Sequence, residues 1–163
     1  MVRKAHINDY DFIKGLYFHP QINSFLLYEM ADEADFAPIF EDLLDRNVVY
    51  VFEIKGEKIG MFKLVPLTYR SSHIAYLGGV AIHPQWAGKG FGVLMMQEII
   101  AFSLTLGFRR IELSTATTNE KAMHLYEKVG FQKEGVLRQY THLKSENRYL
   151  DEVLMAYVAE LHD

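Results

Sequence analysis

The sequence predicts an α/β fold of mixed type, with a central mixed sheet of about six to seven strands flanked by about four helices. Three observations support this. Apolar residues switch along the chain between the two-residue repeat of strands and the 3.6-residue repeat of helices. The middle of the chain reads strand, glycine-rich turn, helix, strand. The 163 residues, 50% hydrophobic and 23% charged, fit one compact domain over 1–163. No repeat, low-complexity tract or linker marks an internal boundary.

Each element has a local warrant in the sequence. Val2 to His6 reads as a short edge strand. Asn8 or Asp9 is the expected N-cap of a helix through about Phe18, because a short oxygen side chain accepts the free N–H groups of a first turn. His19-Pro20 ends that helix. From Ala31 to Asp45, Phe36, Ile39, Phe40, Leu43 and Leu44 recur at helical spacing, with Pro38 best suited to the first turn. Asn47 to Ile54 and Lys58 to Pro66 are β-rich runs joined as a hairpin through Lys55-Gly56-Glu57. His73 to His83 is a third strand, stopped by Pro84. A long apolar helix follows from Gly90 to Leu106, with Gly107 as a left-handed C-cap. Arg110 to Thr115 returns to strand, and Thr118 or Asn119 caps a helix reaching Lys128 to Gly130. Phe131 to Tyr140 and Arg148 to Val158 are strands around the turn Lys144-Ser145-Glu146-Asn147. The expected order is β-α-α-β-β-β-α-β-α-β-β.

Composition narrows the partners. Seventeen basic against 21 acidic residues give a formal charge of −4, without the electrostatic footprint of a nucleic-acid or anionic-membrane binder. A small partner is expected. The absence of cysteine excludes a disulfide scaffold, a thiol nucleophile and thiolate metal sites, and suits a reducing compartment. The first residues, Met1 to His6, lead into polar positions, and no run approaches the ~18 apolar residues of a membrane span. The expected location is cytoplasmic. The histidines form no His-x-x-x-His with a nearby Glu, so no metal is expected.

The most informative segment is Val80-Ala81-Ile82-His83-Pro84-Gln85-Trp86-Ala87-Gly88-Lys89-Gly90-Phe91-Gly92-Val93-Leu94. Glycines without Cβ let backbone N–H groups approach an anion, and the helix N-terminus adds unpaired donors and about half a positive charge. A pyrophosphate fits that arrangement. A bare tight turn between strand and helix is the plainer alternative. The Gly-x-Gly-x-Gly spacing in mid-chain differs from the Gly-x-Gly-x-x-Gly of dinucleotide folds, and Lys89 precedes Gly90 where a P-loop has Ser or Thr.

With these residues the sequence resembles the GCN5-related N-acetyltransferase (GNAT) family over nearly its whole length. The family motif Gln/Arg-x-x-Gly-x-Gly/Ala falls on Ala87-Gly88-Lys89-Gly90-Phe91-Gly92, with Ala87 in place of the usual Gln or Arg. Gln85-x-x-Gly88-x-Gly90 satisfies the pattern in a second register. A further block, Asn-x-x-Ala-x-x-x-Tyr-x-x-x-Gly-Phe, matches Asn119 to Phe131. The resemblance implies an acyl-CoA N-acyltransferase fold and acetyl-CoA as cosubstrate. It implies transfer of the acetyl group to a primary amine of a small molecule, such as an amino acid, or of a peptide N-terminus. By the same resemblance, Val80, Ala81 and Ile82 would pair with the pantetheine arm. Ala87, Gly88, Lys89, Gly90, Phe91, Gly92 and Val93 would hold the pyrophosphate, Asn119 would contact the cofactor, and Tyr126 would protonate the departing CoA thiolate. A tyrosine is suited to that step, since with an unperturbed pKa near ~10 it stays protonated at neutral pH.

Other roles are less legible. Some family members carry a base on the strand before the asparagine block, where this chain has Ser114, which leaves Glu112, Glu29, His73 or His83 through water. The Val80 N–H is the candidate oxyanion donor. By the same resemblance the acceptor site is expected within residues 18 to 36, 66 to 76 and 136 to 150, where Phe25, Tyr28, Tyr69, Tyr76 and Tyr140 with Arg70 and Arg138 either form an apolar pocket with a cationic handle or are scattered surface aromatics. Polyamines and antibiotic amines are less favoured by this reading. A homodimer is common in the family, and a non-catalytic acyl-CoA-binding domain of the same fold is the alternative function.

Overall fold

The computed structural model describes residues 1–23, 26, 29 and 32–160. In chain order the elements are β1 (Val2–Lys4), α1 (Tyr10–Tyr17), α2 (Pro20–Asn23), α3 (Phe36–Asp45), β2 (Val49–Ile54), β3 (Glu57–Pro66), β4 (Ile74–Ile82), α4 (Phe91–Thr105), β5 (Arg110–Ala116), α5 (Glu120–Lys128), β6 (Gln132–Leu143) and β7 (Arg148–Val158). The seven strands form a mixed sheet in the order β1-β2-β3-β4-β5-β7-β6. The order of elements is the expected one with α2 added. His19-Pro20 does end α1, but Pro20 also opens α2, because a first helical residue needs no N–H donor and its φ is already helical. The chain divides into two compact units, Met1–Leu64 with Gly78–Phe91 and Val65–Leu77 with Gly92–Asp163.

In the first unit, β2 runs antiparallel to both β1 and β3, with Val2 opposite Phe52 and Val51 opposite Met61. The β2–β3 hairpin closes at Ile54 and Glu57 across Lys55 (φ 51°) and Gly56 (φ 82°). Two left-handed residues in a two-residue loop match the natural twist of the flanking strands. The predicted hairpin is therefore present, with Glu57 already in strand. Helix α3 starts at Phe36, later than the sequence suggests, after a 3-10 turn at Glu33–Asp35 whose first free N–H, on Ala34, is accepted by Asp32 at 3.0 Å. Ala31, the expected start, lies outside the described residues. Pro38 falls in the first turn of α3, where its missing N–H leaves no bond unmade. Phe36 is fully buried and gathers Tyr10, Tyr17 and Phe40 at ring distances of 5.4, 5.2 and 5.8 Å, which ties α1 to α3.

Asp9 does not cap α1 with its side chain. It stands at the N-cap position, yet its carboxylate accepts the His6 N–H, two Arg3 guanidinium N–H bonds at 2.8 and 2.9 Å, and Lys58 Nζ at 2.7 Å. Arg3 also holds Glu53. A carboxylate offered two cations at bonding distance gains more from them than from one helix N–H. Burial alone would raise the Asp9 pKa, but its bonds to Arg3, Lys58 and the His6 N–H outweigh that and hold it far below its ordinary 3.8.

In the second unit, β5 pairs antiparallel with β7 from Arg110–Val158 to Ala116–Glu152, and the first part of β4 pairs parallel with β5 from Ile74–Arg110 to Tyr76–Glu112. Alternation sorts β5 into buried Ile111, Leu113 and Thr115 and a less buried face of Arg110, Glu112 and Ser114. Helix α4 is apolar on most of its sides, and Met95, Met96, Ile99 and Ile100 are buried. It ends as expected at Gly107 (φ +92°), where the Phe108 N–H returns to Ser103. Asn119 caps α5. Strand β6 outruns the expected Tyr140 because it resumes pairing at Thr141 after three residues, Arg138 to Tyr140, bulge out opposite Asp151.

Asp9→Asn should destabilise the protein by about 2–4 kcal/mol in urea unfolding, since it leaves Arg3 and Lys58 facing a neutral group in a buried site. The Asp9 pKa is lower in the folded than in the unfolded chain, so its contribution is present above about pH 4 and is lost as pH falls through the folded value. The stability gap between wild type and variant should be constant from about pH 5 to about pH 8 and narrow below about pH 4.

Candidate active site

The turn that opens α4 is built as the sequence suggests. Pro84–Trp86 forms a 3-10 turn, and Gly88 (φ +72°) and Gly90 (φ +81°) take left-handed dihedrals that let the chain reverse into the helix at Phe91. A Cβ built on either glycine meets no atom within 4 Å. The space beside both backbones is open, as a cradle for an anion requires, and a pyrophosphate held by main-chain N–H groups suits it. Around the turn, Lys89 Nζ lies 5.0 Å from the Trp86 ring and Phe91 meets that ring edge-on at 5.7 Å. The indole Nε1 of Trp86 is buried and has no hydrogen-bond partner among the described residues. Ala87 is extended and exposed. Gly92 has a packing reason of its own, because a Cβ there would stand 3.4 Å from Leu125 of α5.

Upstream, β4 is kinked at Gly79, whose φ of +57° breaks the regular pleat just before Val80. A Cβ on Gly79 would stand 3.3 Å from Lys63 Cε, so glycine is required for space as well as for dihedral. Ala81 is buried, and Val80 and Ile82 are partly exposed. His83 stacks on Phe12 and accepts the Gln85 N–H at Nδ1, which places it in the turn's own scaffold.

On α5, both ends of the Asn119 amide are engaged. Its Oδ1 accepts the Ala122 N–H at 3.3 Å and its Nδ2 donates to Thr115 Oγ1 at 3.2 Å, locking the start of the helix to β5. Tyr126, seven residues along, contacts Phe131 at a ring distance of 6.0 Å. Burial, with a smaller contribution from Tyr76, pushes its hydroxyl pKa up to about 12. The phenol therefore keeps its proton throughout the physiological range.

The less buried face of the second unit's sheet carries a group of hydroxyls around one carboxylate. Ser114 Oγ donates to Glu152 Oε2 at 2.5 Å, Thr141 Oγ1 donates to Glu152 Oε1 at 2.7 Å, and Tyr76 Oη lies 3.4 Å from Ser114 Oγ. Burial raises the Tyr76 pKa above its ordinary 10.0. Glu152 escaped the sequence reading because its place beside Ser114 depends on the β5–β7 register. Its only signal was an acidic residue beside Asp151, at the head of the apolar half of the strand. Of the proposed bases, Glu112 is paired with Arg110 at 2.7 Å, and His73 is exposed. Of the proposed acceptor residues, Tyr76 joins the carboxylate group, and Tyr140 and Arg138 line a groove of about 750 Å³ with Val136, Leu137, Gln139 and Asp151. Tyr69 is 93% exposed, and Arg70 is exposed beside it. Phe25 and Tyr28 lie outside the described residues.

The glycine turn that opens α4 and the asparagine cap of α5 stand where the sequence motifs placed them. The family model for the Acetyltransferase (GNAT) family matches residues 10–131, and the chain belongs to that family. It is similar to the spermidine N(1)-acetyltransferase of Vibrio cholerae, 31% identical over 144 residues that cover 83% of this chain and 80% of the relative. It is also similar to the L-amino acid N-acetyltransferase AaaT of Escherichia coli, 29% identical over 164 residues covering 97% of both. The crystal structure of spermidine N-acetyltransferase from Vibrio cholerae in complex with CoA and spermine superposes with a TM-score of 0.83 at 27% identity, over 97% of this chain and 94% of the other. The chain is an N-acetyltransferase that uses acetyl-CoA, and its reaction is acetyl transfer to an amine.

Gly90→Ala should weaken acetyl-CoA binding, because a residue with a Cβ is strained at this φ of +81° and the added methyl, which meets no protein atom within 4 Å, would occupy the open space beside the turn. The variant should lose about 1–3 kcal/mol of stability or shift the turn to avoid that loss, and in either case the thermal shift produced by acetyl-CoA should shrink.

Proposed function

We propose that the chain acetylates a small primary amine that it recognises by its positive charge, with Tyr126 as the acid that protonates the CoA thiolate. In this reading the Gly88 to Gly90 turn and the first turn of α4 hold the pyrophosphate, with Ala87, Lys89, Phe91, Gly92 and Val93 forming its walls. The end of β4, Val80 to Ile82, receives the pantetheine arm, and the Val80 N–H faces the thioester oxygen. Asn119 sets the start of α5 and thereby the position of Tyr126. Replacing the usual Gln or Arg by Ala87 is tolerable because main-chain donors carry the phosphate contact. The whole of 1–163 acts as one catalytic domain in this reading, and the cytoplasm is the compartment that supplies acetyl-CoA to it.

The observation that carries the reading is the cluster of oxygen acceptors on the second unit's sheet; Tyr126, like an ordinary tyrosine and with its pKa raised further by burial, keeps its proton at physiological pH. For the acceptor, the hydroxyl and carboxylate group of Tyr76, Ser114, Thr141 and Glu152 offers oxygen acceptors to an ammonium and no cation to a carboxylate. This favours an amine recognised by charge, and the likeness to spermidine acetyltransferases points the same way, against the lower rank that the sequence reading gave polyamines. An L-amino acid is the second reading, supported by Arg138 in the β6 groove and by the likeness to AaaT.

Free-thiol release from acetyl-CoA, assayed with spermidine, L-amino acids and peptide N-termini as acceptors, tests both. Tyr126→Phe should lower kcat by about 10²–10⁴-fold with little change in KM and none in acetyl-CoA binding. Acetyl-CoA binding with no thiol release from any amine would instead support a non-catalytic acyl-CoA-binding domain.

A further inference from the structure

The carboxylate group in the second unit has a direction as well as a composition. Ser114 commits its proton to Glu152 Oε2, and Thr141 holds the other oxygen. Ser114 Oγ is then left to accept from Tyr76 Oη, at 3.4 Å. The protons therefore point one way, from Tyr76 through Ser114 to Glu152. Tyr76 also lies within electrostatic range of Tyr126. At the other end Glu152 is partly exposed, and each of its oxygens retains a lone pair.

We propose, resting on the acetyl-transfer roles assigned above, that Tyr76, Ser114 and Glu152 form a relay that removes the proton from the acceptor's ammonium group. One ammonium proton passes to Tyr76 Oη as the Tyr76 proton moves to Ser114 Oγ and the Ser114 proton to Glu152 Oε2. The ammonium becomes an amine and the carboxylate a carboxylic acid, which releases its proton to solvent. The amine nitrogen then bonds to the thioester carbon and the C–S bond breaks. The sulfur takes the Tyr126 proton, and Tyr126 recovers one from the new amide nitrogen. The products are the N-acetylated amine, CoA thiol and one proton. The neighbouring charges on this face are accounted for: Arg110 pairs with Glu112 and Glu134, and Tyr140 lies within electrostatic range of Tyr76.

The relay explains how a chain with serine at the strand position that carries an acid in some relatives still has a base. The acid is supplied from β7, one strand across, through the serine.

The test measures kcat and KM by thiol release from about pH 6 to about pH 9.5 for wild type, Glu152→Gln, Ser114→Ala and Tyr76→Phe. Spermidine serves as acceptor, or the amino acid that gives the most release if spermidine gives none. Glu152→Gln should lower kcat about 100-fold at pH 7, with the deficit closing toward high pH as free amine becomes abundant. Ser114→Ala should show the same trend at about 10-fold or more, and it decides the matter if Glu152→Gln does not fold. A deficit equal at every pH, or activity within about threefold of wild type in both variants, would overturn the relay. Normal acetyl-CoA thermal shifts in the variants would leave the cofactor roles standing in that event. No release from wild type with any amine would overturn the roles of Tyr126 and the relay together.

Discussion

The register of β7 against β5 is the constraint on which the chemistry of the second unit depends. With Ser114 opposite Leu154 and Ala116 opposite Glu152, successive β5 residues face opposite ways. Ser114 reaches the carboxylate on one face, while Thr115 accepts the Asn119 amide on the other and fixes the start of the helix that carries Tyr126. Two adjacent hydroxyls thus hold partners on opposite faces of one strand. A slip of one residue would exchange their faces and undo both. The core enforces the register, because Ile111 and Leu113 of β5 and Met155 of β7 are buried on the face that Ser114 and Glu152 avoid.

This also explains what the sequence could and could not reveal. The glycine turn and the asparagine cap lie within contiguous stretches whose spacing is a property of the chain itself, so they were legible, whereas Tyr126 was singled out by the family resemblance. Gly107 ending α4 and Lys55-Gly56 closing the hairpin were legible for the same reason, since local dihedral demands show in residue type. Glu152 was not. Its partner Ser114 is 38 residues away along the chain, Ser114's neighbour Tyr76 is a further 38 before that, and only strand pairing brings them together. Asp9 misled in a related way: as a helix cap it satisfied every local rule, but two cations distant or displaced in sequence, Lys58 and Arg3, held its carboxylate. The start of α3 slipped because Asp32 and a 3-10 turn supply the cap ahead of the apolar repeat.

Burial pushes Asp9 and Tyr126 the same way, toward the neutral form, yet the two groups end in opposite states. At Asp9 the desolvation of a carboxylate is more than offset by two cations and a backbone N–H, so the group is charged and structural. At Tyr126 no cation offsets burial, so the group is neutral and retains a proton to give. The same physical cost leaves a charged group in one unit and a protonated one in the other, according to what stands within bonding distance.

The bulge in β6 bears on how this chain meets others of its kind. Strand β6 is an outer strand of the sheet, twelve residues long, and its outward N–H and C=O groups would ordinarily invite a strand from another molecule. Arg138 to Tyr140 interrupt that row, Gln139 adopts a φ of +50°, and its N–H is turned inward to Asp151 at 2.7 Å. The opposite edge, β1, is three residues long. Neither margin presents a long, uninterrupted row of unpaired backbone groups, the feature by which one sheet edge recruits another.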